Sequence, residues 1–121
     1  MGFLSRIFSR PPKPGKPIVV TDESFVQDVL HSNLPAVVDF WSSTCAPCQV
    51  MGGLLNELGP QYADRIQIFK ANVEQSPEIA EQYRIRSIPT LVFLRNGREV
   101  DRIVGLLPLN PLRARLDKLA G

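Results

Sequence analysis

The sequence predicts one domain of α/β or α+β type, layered on a single sheet. Three observations lead there. At 121 residues the chain has the length of one domain, enough to bury a core without metals or disulfide staples. From Ile18 onward, short runs rich in β-branched and aromatic residues alternate with segments whose apolar residues recur at helical spacing. Near the C-terminal end, Asn96-Gly97 stands between two apolar runs, the strongest short-range hairpin signal a sequence offers. Composition agrees, since 44% hydrophobic and 21% charged residues is the balance of a globular domain and excludes a disordered, collagen-like or coiled-coil chain. No apolar run approaches the roughly 18 residues that a membrane-spanning helix needs.

The first 17 residues stand apart from the rest. They carry Arg6, Arg10, Lys13 and Lys16 with no acid, which leaves ten basic against twelve acidic residues in the body. A mildly acidic body without a basic stripe excludes nucleic acid as a partner. Pro11, Pro12, Pro14 and Pro17 predict a semi-rigid extended linker over 11–17. Ahead of it, Phe3, Leu4, Ile7 and Phe8 fall on one side at helical spacing beside Arg6 and Arg10. Such a segment suits weak contact of residues 1–10 with an anionic membrane surface or a partner, and a frayed terminus is the plain alternative. Its apolar part is too short for a secretory signal, and the position of Ser5 breaks the myristoylation pattern. Its Arg and Ser content without acid leaves an organelle-targeting remnant open. The expected division is a basic, proline-rich and flexible extension over 1–17 and a folded domain over 18–121.

Within that domain the elements follow in order. Ile18–Val20 is a short β-branched run, and Thr21-Asp22-Glu23-Ser24 is helix-start chemistry ahead of an apolar face of Phe25, Val26, Val29 and Leu30. After Pro35, residues 36–41 predict a central strand. A helix is expected from about Cys45 to Tyr62, a strand over 66–71, and a short helix begun by Ser76-Pro77-Glu78, where proline suits the first turn. Strands over 90–94 and 99–104 flank the Asn96-Gly97 turn. A last helix over 109–120 carries Leu112, Leu116 and Leu119 at helical spacing.

The chemistry sits where the strand ending at Trp41 runs through Ser42-Ser43-Thr44 into Cys45-Ala46-Pro47-Cys48, the chain's only two cysteines. Two cysteines three apart at a helix start share one face, and the first lies where unpaired N–H groups and the helix dipole stabilise a thiolate. The thiolate is the nucleophile. Cys45 can attack a substrate disulfide, and Cys48 can then attack the mixed disulfide and release the reduced product. Half of a zinc site is the competing reading, but four ligands are usual and His31 is the only histidine or cysteine left to add. A purely structural disulfide would close too small a loop to restrain the unfolded chain much. No metal or separate cofactor is therefore expected, and the redox group is the cysteine pair itself.

Further motifs follow in order: Val38-Asp39-Phe40-Trp41 before the cysteines, then Phe69-Lys70-Ala71-Asn72-Val73-Glu74, Tyr83-Arg84-Ile85-Arg86-Ser87-Ile88-Pro89-Thr90, Asn96-Gly97 and Val104-Gly105. On these residues the chain resembles the thioredoxin family over about 18–120. The resemblance implies a thioredoxin fold of the α/β class, a central mixed sheet of four to five strands flanked by helices on both faces. It implies that Asp39 is a buried acid beneath the cysteine pair, helping to deprotonate Cys48. An ionised carboxylate in an apolar strand is costly, which fits proton exchange near neutral pH; a strand acid turned to solvent is the alternative. Lys70 matches the family lysine that approaches this acid, with a solvated strand-end lysine as alternative. For Pro89 the residues alone leave cis and trans open, and the resemblance implies a cis Ile88–Pro89 bond facing the dithiol, with adjoining backbone free to pair with an extended substrate. Trp41, Ala46, Pro47, Ile88 and Gly105 would then form an apolar lip around Cys45, although core packing would also suit Trp41.

The departures from the family pattern are Thr44, Ala46 and Gln49, where tryptophan, glycine and lysine are usual. Losing an aromatic and a cation beside the dithiol changes the substrate surface and thiolate stability. Tens of millivolts correspond to only about 1–2 kcal/mol for a two-electron couple, so such changes matter. Gly52-Gly53 stands where a proline often kinks the family's long helix, and Pro60 removes the bond to the Asn56 carbonyl, predicting a kink or early end near 56–60. The expected function is reduction of protein disulfides in a reducing, cytoplasmic setting, by a monomer recharged by a thioredoxin reductase, with an organelle matrix as alternative location. A disulfide oxidase or isomerase would need a less stable active-site disulfide. A non-catalytic module would only dock peptides or an assembly partner at the Pro89 groove.

Overall fold

Alternation along β2 (Ala36–Trp41) organises the molecule, because Val37, Asp39 and Trp41 point to one face and Ala36, Val38 and Phe40 to the other. In the computed structural model, residues 14–121 are described. Four further strands, β1 (Ile18–Val19), β3 (Gln67–Asn72), β4 (Thr90–Arg95) and β5 (Arg98–Val104), join β2 in one sheet of order β1-β3-β2-β4-β5. β3 runs parallel to β1 and β2, whereas β4 is antiparallel to β2 and β5 to β4. The expected mixed sheet is present with five strands. Asn96 (φ 53°) and Gly97 (φ 75°) close the β4–β5 hairpin, the left-handed pair that a two-residue turn of matching twist requires.

Two apolar layers cover the sheet. On one side Met51, Leu55 and Leu58 of α2 (Ala46–Leu58) and Leu112, Leu116 and Leu119 of α4 (Leu109–Ala120) pack on Val37, Ile68, Leu91 and Phe93. On the other, Phe25, Val29 and Ile79 pack on Val38, Phe40, Phe69 and Val92. Helices thus lie on both faces. The α4 boundaries and its leucine stripe are those the spacing predicts.

Two segments differ from their sequence reading, the first helix and residues 14–17. The helix expected from Thr21 is a single wide turn, α1 (Val26–Leu30), whose i→i+5 bond runs from the His31 N–H to the Val26 carbonyl. Val26, expected on the apolar face, is 53% exposed. The cause is local: the Ser24 hydroxyl accepts from the Thr21 N–H, while Asp22 leaves its own segment to accept from the N–H groups of Glu78 and Ile79 at the start of α3 (Pro77–Gln82). The long helix ends at Leu58, and a tighter 3₁₀ turn carries on through Gly59–Tyr62, the early end that Pro60 predicts. Residues 14–17, read as part of an extended linker, instead turn back onto the end of α2. Gly15 has φ +88°, and a Cβ on either Gly15 or Gly59 would overlap the other's carbonyl. Lys16 Nζ donates at 3.1 Å to the Asn56 carbonyl, the one Pro60 leaves without a helical partner. The amphipathic reading of residues 1–10 and the prolines at 11 and 12 lie outside the described residues.

Candidate active site

Cys45 is the N-cap of α2, and its sulfur accepts from the Cys48 N–H at 3.1 Å. Pro47, in the first turn, has no N–H of its own to leave unpaired there, and the Cys45 sulfur caps the next one, that of Cys48. The two cysteines form a disulfide with Cα atoms 5.2 Å apart. Their exposure is unequal, because Cys45 is half-buried whereas Cys48 is 3% exposed. An accessible first sulfur and a sheltered second one suit an attacking and a resolving thiol. Ala46 and Pro47 are exposed at the rim.

Opposite the pair lies the loop before β4. The Ile88–Pro89 peptide bond is cis, and the Ile88 carbonyl oxygen lies 3.8 Å from Cys45 Sγ. The Pro89 carbonyl is occupied by the Gly105 N–H at 2.8 Å, whereas Ile88 makes no backbone–backbone hydrogen bond among the described residues. Gly105, at φ +90°, lets β5 leave the sheet at this point. The free peptide edge beside Cys45 is therefore that of Ile88, which can pair with an extended chain as an added strand.

Behind Cys48 the sheet contributes the acid. Asp39 shares the α2 face with Val37 and is 3% exposed, with Lys70 level with it on β3 and Leu91 on β4. Burial pushes its carboxyl up from 3.8 to about 7, partly offset by the Lys70 ammonium. Its Oδ1 has no hydrogen-bond partner. A cavity of about 280 Å³ brings Asp39, Lys70, Trp41 and Cys48 together. Trp41 faces this cavity, its Nε1 buried without a partner and its ring centroid 6.0 Å from Lys70 Nζ. Of the residues singled out from sequence, Cys48, Asp39, Lys70 and Trp41 line this cavity and Cys45 joins it through the disulfide, with Ala46, Pro47, Ile88, Pro89 and Gly105 around the cysteine mouth.

The sequence reading set Gln49 beside the dithiol but gave no place in the site to Pro17, Gly52, Gly53 and Asn56, which with Gln49 complete the cavity wall. For the three on α2 a signal existed: with 49, positions 52, 53 and 56 follow i, i+3, i+4, i+7 and lie on one flank of α2. For Pro17 none existed.

An acid able to gain and lose a proton near neutrality, beside a sheltered thiol and behind an accessible one, can drive thiol–disulfide exchange at Cys45. Known proteins point the same way. A family model described as Thioredoxin matches residues 16–118. Thioredoxin 1 of Synechococcus elongatus is 43% identical over 99 residues, 82% of this chain and 92% of that protein. Thioredoxin 2 of Chlorobaculum tepidum is 41% identical over 107 residues, 88% and 98% of the two chains. The chloroplastic M-type thioredoxin of Spinacia oleracea is 39% identical over 99 residues, 82% of this chain and 55% of that protein. With this fold, these motifs and this coverage, the chain belongs to the thioredoxin family.

Proposed function

We propose that this protein is a thiol–disulfide oxidoreductase that reduces disulfides in protein substrates. The observation that carries the reading is the capped Cys45 sulfur, held at the start of α2 beside the open Ile88 peptide and in disulfide reach of Cys48. In the reduced protein the Cys48 N–H and the helix dipole favour a Cys45 thiolate. This thiolate attacks a substrate disulfide, forming a mixed disulfide and expelling one substrate thiolate. Asp39, ionised, takes the proton of Cys48. The Cys48 thiolate attacks Cys45 Sγ, forming the Cys45–Cys48 disulfide, breaking the mixed disulfide and expelling the second substrate thiolate, which takes the proton from Asp39. Two electrons pass from the dithiol to the substrate, and the two thiol protons balance the two sulfurs released.

A thioredoxin reductase recharging the disulfide, a monomeric state and a cytoplasmic site of action complete the proposal. Having both cysteines in the redox pair suits a reducing compartment. The chloroplastic relative keeps an organelle matrix as the competing location. No helix among the described residues is long and apolar enough to cross a membrane. Insulin-disulfide reduction with a dithiol donor tests the activity. Turnover that the Cys45→Ser variant lacks is the expected result, and wild-type turnover no better than that variant would reduce the protein to a binding module.

A further inference from the structure

The cavity over Asp39 has an unusual wall. On the α2 side Gly52 and Gly53 leave it bare, with no atom within 4 Å of where a Cβ would stand on either. Pro17, from outside the helix, also lines it. Pro17 is held there by two contacts that are separate from the strand pairing of β1. Gly15 packs backbone to backbone on Gly59, and Lys16 fills the carbonyl that Pro60 orphans. Both anchors depend on residues of α2 and its end, so the strap and the helix form one wall around one acid.

We propose that residues 14–17 act as a strap that positions Asp39 chemically, limiting the water that reaches its carboxyl and thereby setting the proton transfer to and from Cys48. The kinetic part rests on the redox reading above, whereas the effect on Asp39 does not. The charged or titratable groups around Asp39 are Lys70 from β3 and Cys48 from α2 when reduced, while β4 presents Leu91; Lys16 lies outside the cavity lining, on the Asn56 carbonyl. Burial dominates the acid's raised proton affinity, so a loosened wall admits water and lowers that affinity. Lys16 separates two roles by sign. A cation acting only by its charge holds Asp39 ionised, and its removal raises the acid's titration midpoint. As a tether its removal lowers the midpoint.

The test is a ¹³C-carboxyl NMR titration of Asp39 in the oxidised full-length protein, where neither cysteine titrates. Gly15→Val, which cannot approach Gly59, is expected to lower the midpoint by about one pH unit or more. Lys16→Gln should lower it by less, and Lys16→Arg should restore it. In reduced protein, the pH profile of mixed-disulfide resolution should move to lower pH with the same variants. An unchanged or raised midpoint in Lys16→Gln overturns the proposal, as does an unchanged one in Gly15→Val whose amide shifts show the strap displaced. If Gly15→Val does not fold, the two Lys16 variants decide alone. Because the titration needs no substrate, failure to reduce insulin would count against the redox reading and leave this result standing.

Discussion

Asp39→Asn should make the oxidised protein more stable at neutral and alkaline pH while slowing its chemistry. Below pH 3.8 the folded and unfolded chains both hold the carboxyl protonated, and the charge costs nothing. Between 3.8 and about 7 the unfolded chain releases the proton while the folded chain keeps it. Folding then loses about 1.4 kcal/mol per pH unit. Above about pH 7 both are ionised and the penalty levels off at about 4 kcal/mol, the whole free energy of the displaced titration. Asp39 is 3% exposed, so little solvent screening reduces that figure. Asparagine leaves a neutral polar group in the same pocket, as the protonated acid does, so the comparison isolates the charge. Urea unfolding of both oxidised proteins from pH 4 to 8.5 reads it out: the two stabilities should lie closest near pH 4 and separate to about 3–4 kcal/mol by pH 8. Parallel profiles across that range would refute the reasoning, because an ordinary acid turned to solvent gives no such divergence.

Two further substitutions test long-range and local parts of the fold. Asp22→Ala removes the acceptor of the Glu78 and Ile79 N–H groups and should cost about 1–2 kcal/mol in urea unfolding, with faster amide exchange confined to α3. Arg84→Gly should raise stability by about 1 kcal/mol in the same assay. Arg84 sits at φ 52° in a helix-ending motif whose bonds, Ile85 N–H to the Ala80 carbonyl and Arg84 N–H to the Glu81 carbonyl, place glycine's preferred conformation at that position.

What was legible in the sequence was what neighbours in the chain decide. The Asn96-Gly97 turn needs two left-handed residues and has them within the turn itself, and the leucines of α4 reveal their buried face by spacing alone. Cys45-Ala46-Pro47-Cys48 is likewise local, since strand end, cap and first helical turn are contiguous. Asp39 was legible from the resemblance and from its place in an apolar strand, and the alternation of β2 sets it with Val37 on a covered face. The unread parts are answers to local deficits supplied from far along the chain. Pro60 announces an orphaned carbonyl at Asn56, but nothing near it says that Lys16 fills it, 40 residues away. Ser76 has the right chemistry to cap α3, yet its hydroxyl is buried without a partner and Asp22 caps in its place, 57 residues from Ile79. A proline-rich stretch reads as a linker because its composition forbids helix and sheet, and composition says nothing of a glycine meeting a glycine across the fold. Two of the places where local rules fail, the buried acid at Asp39 and the strap that ends in Pro17, meet at one cavity. A fold retains such costs where a function uses them, which is why the proton on Asp39 is the quantity to measure first.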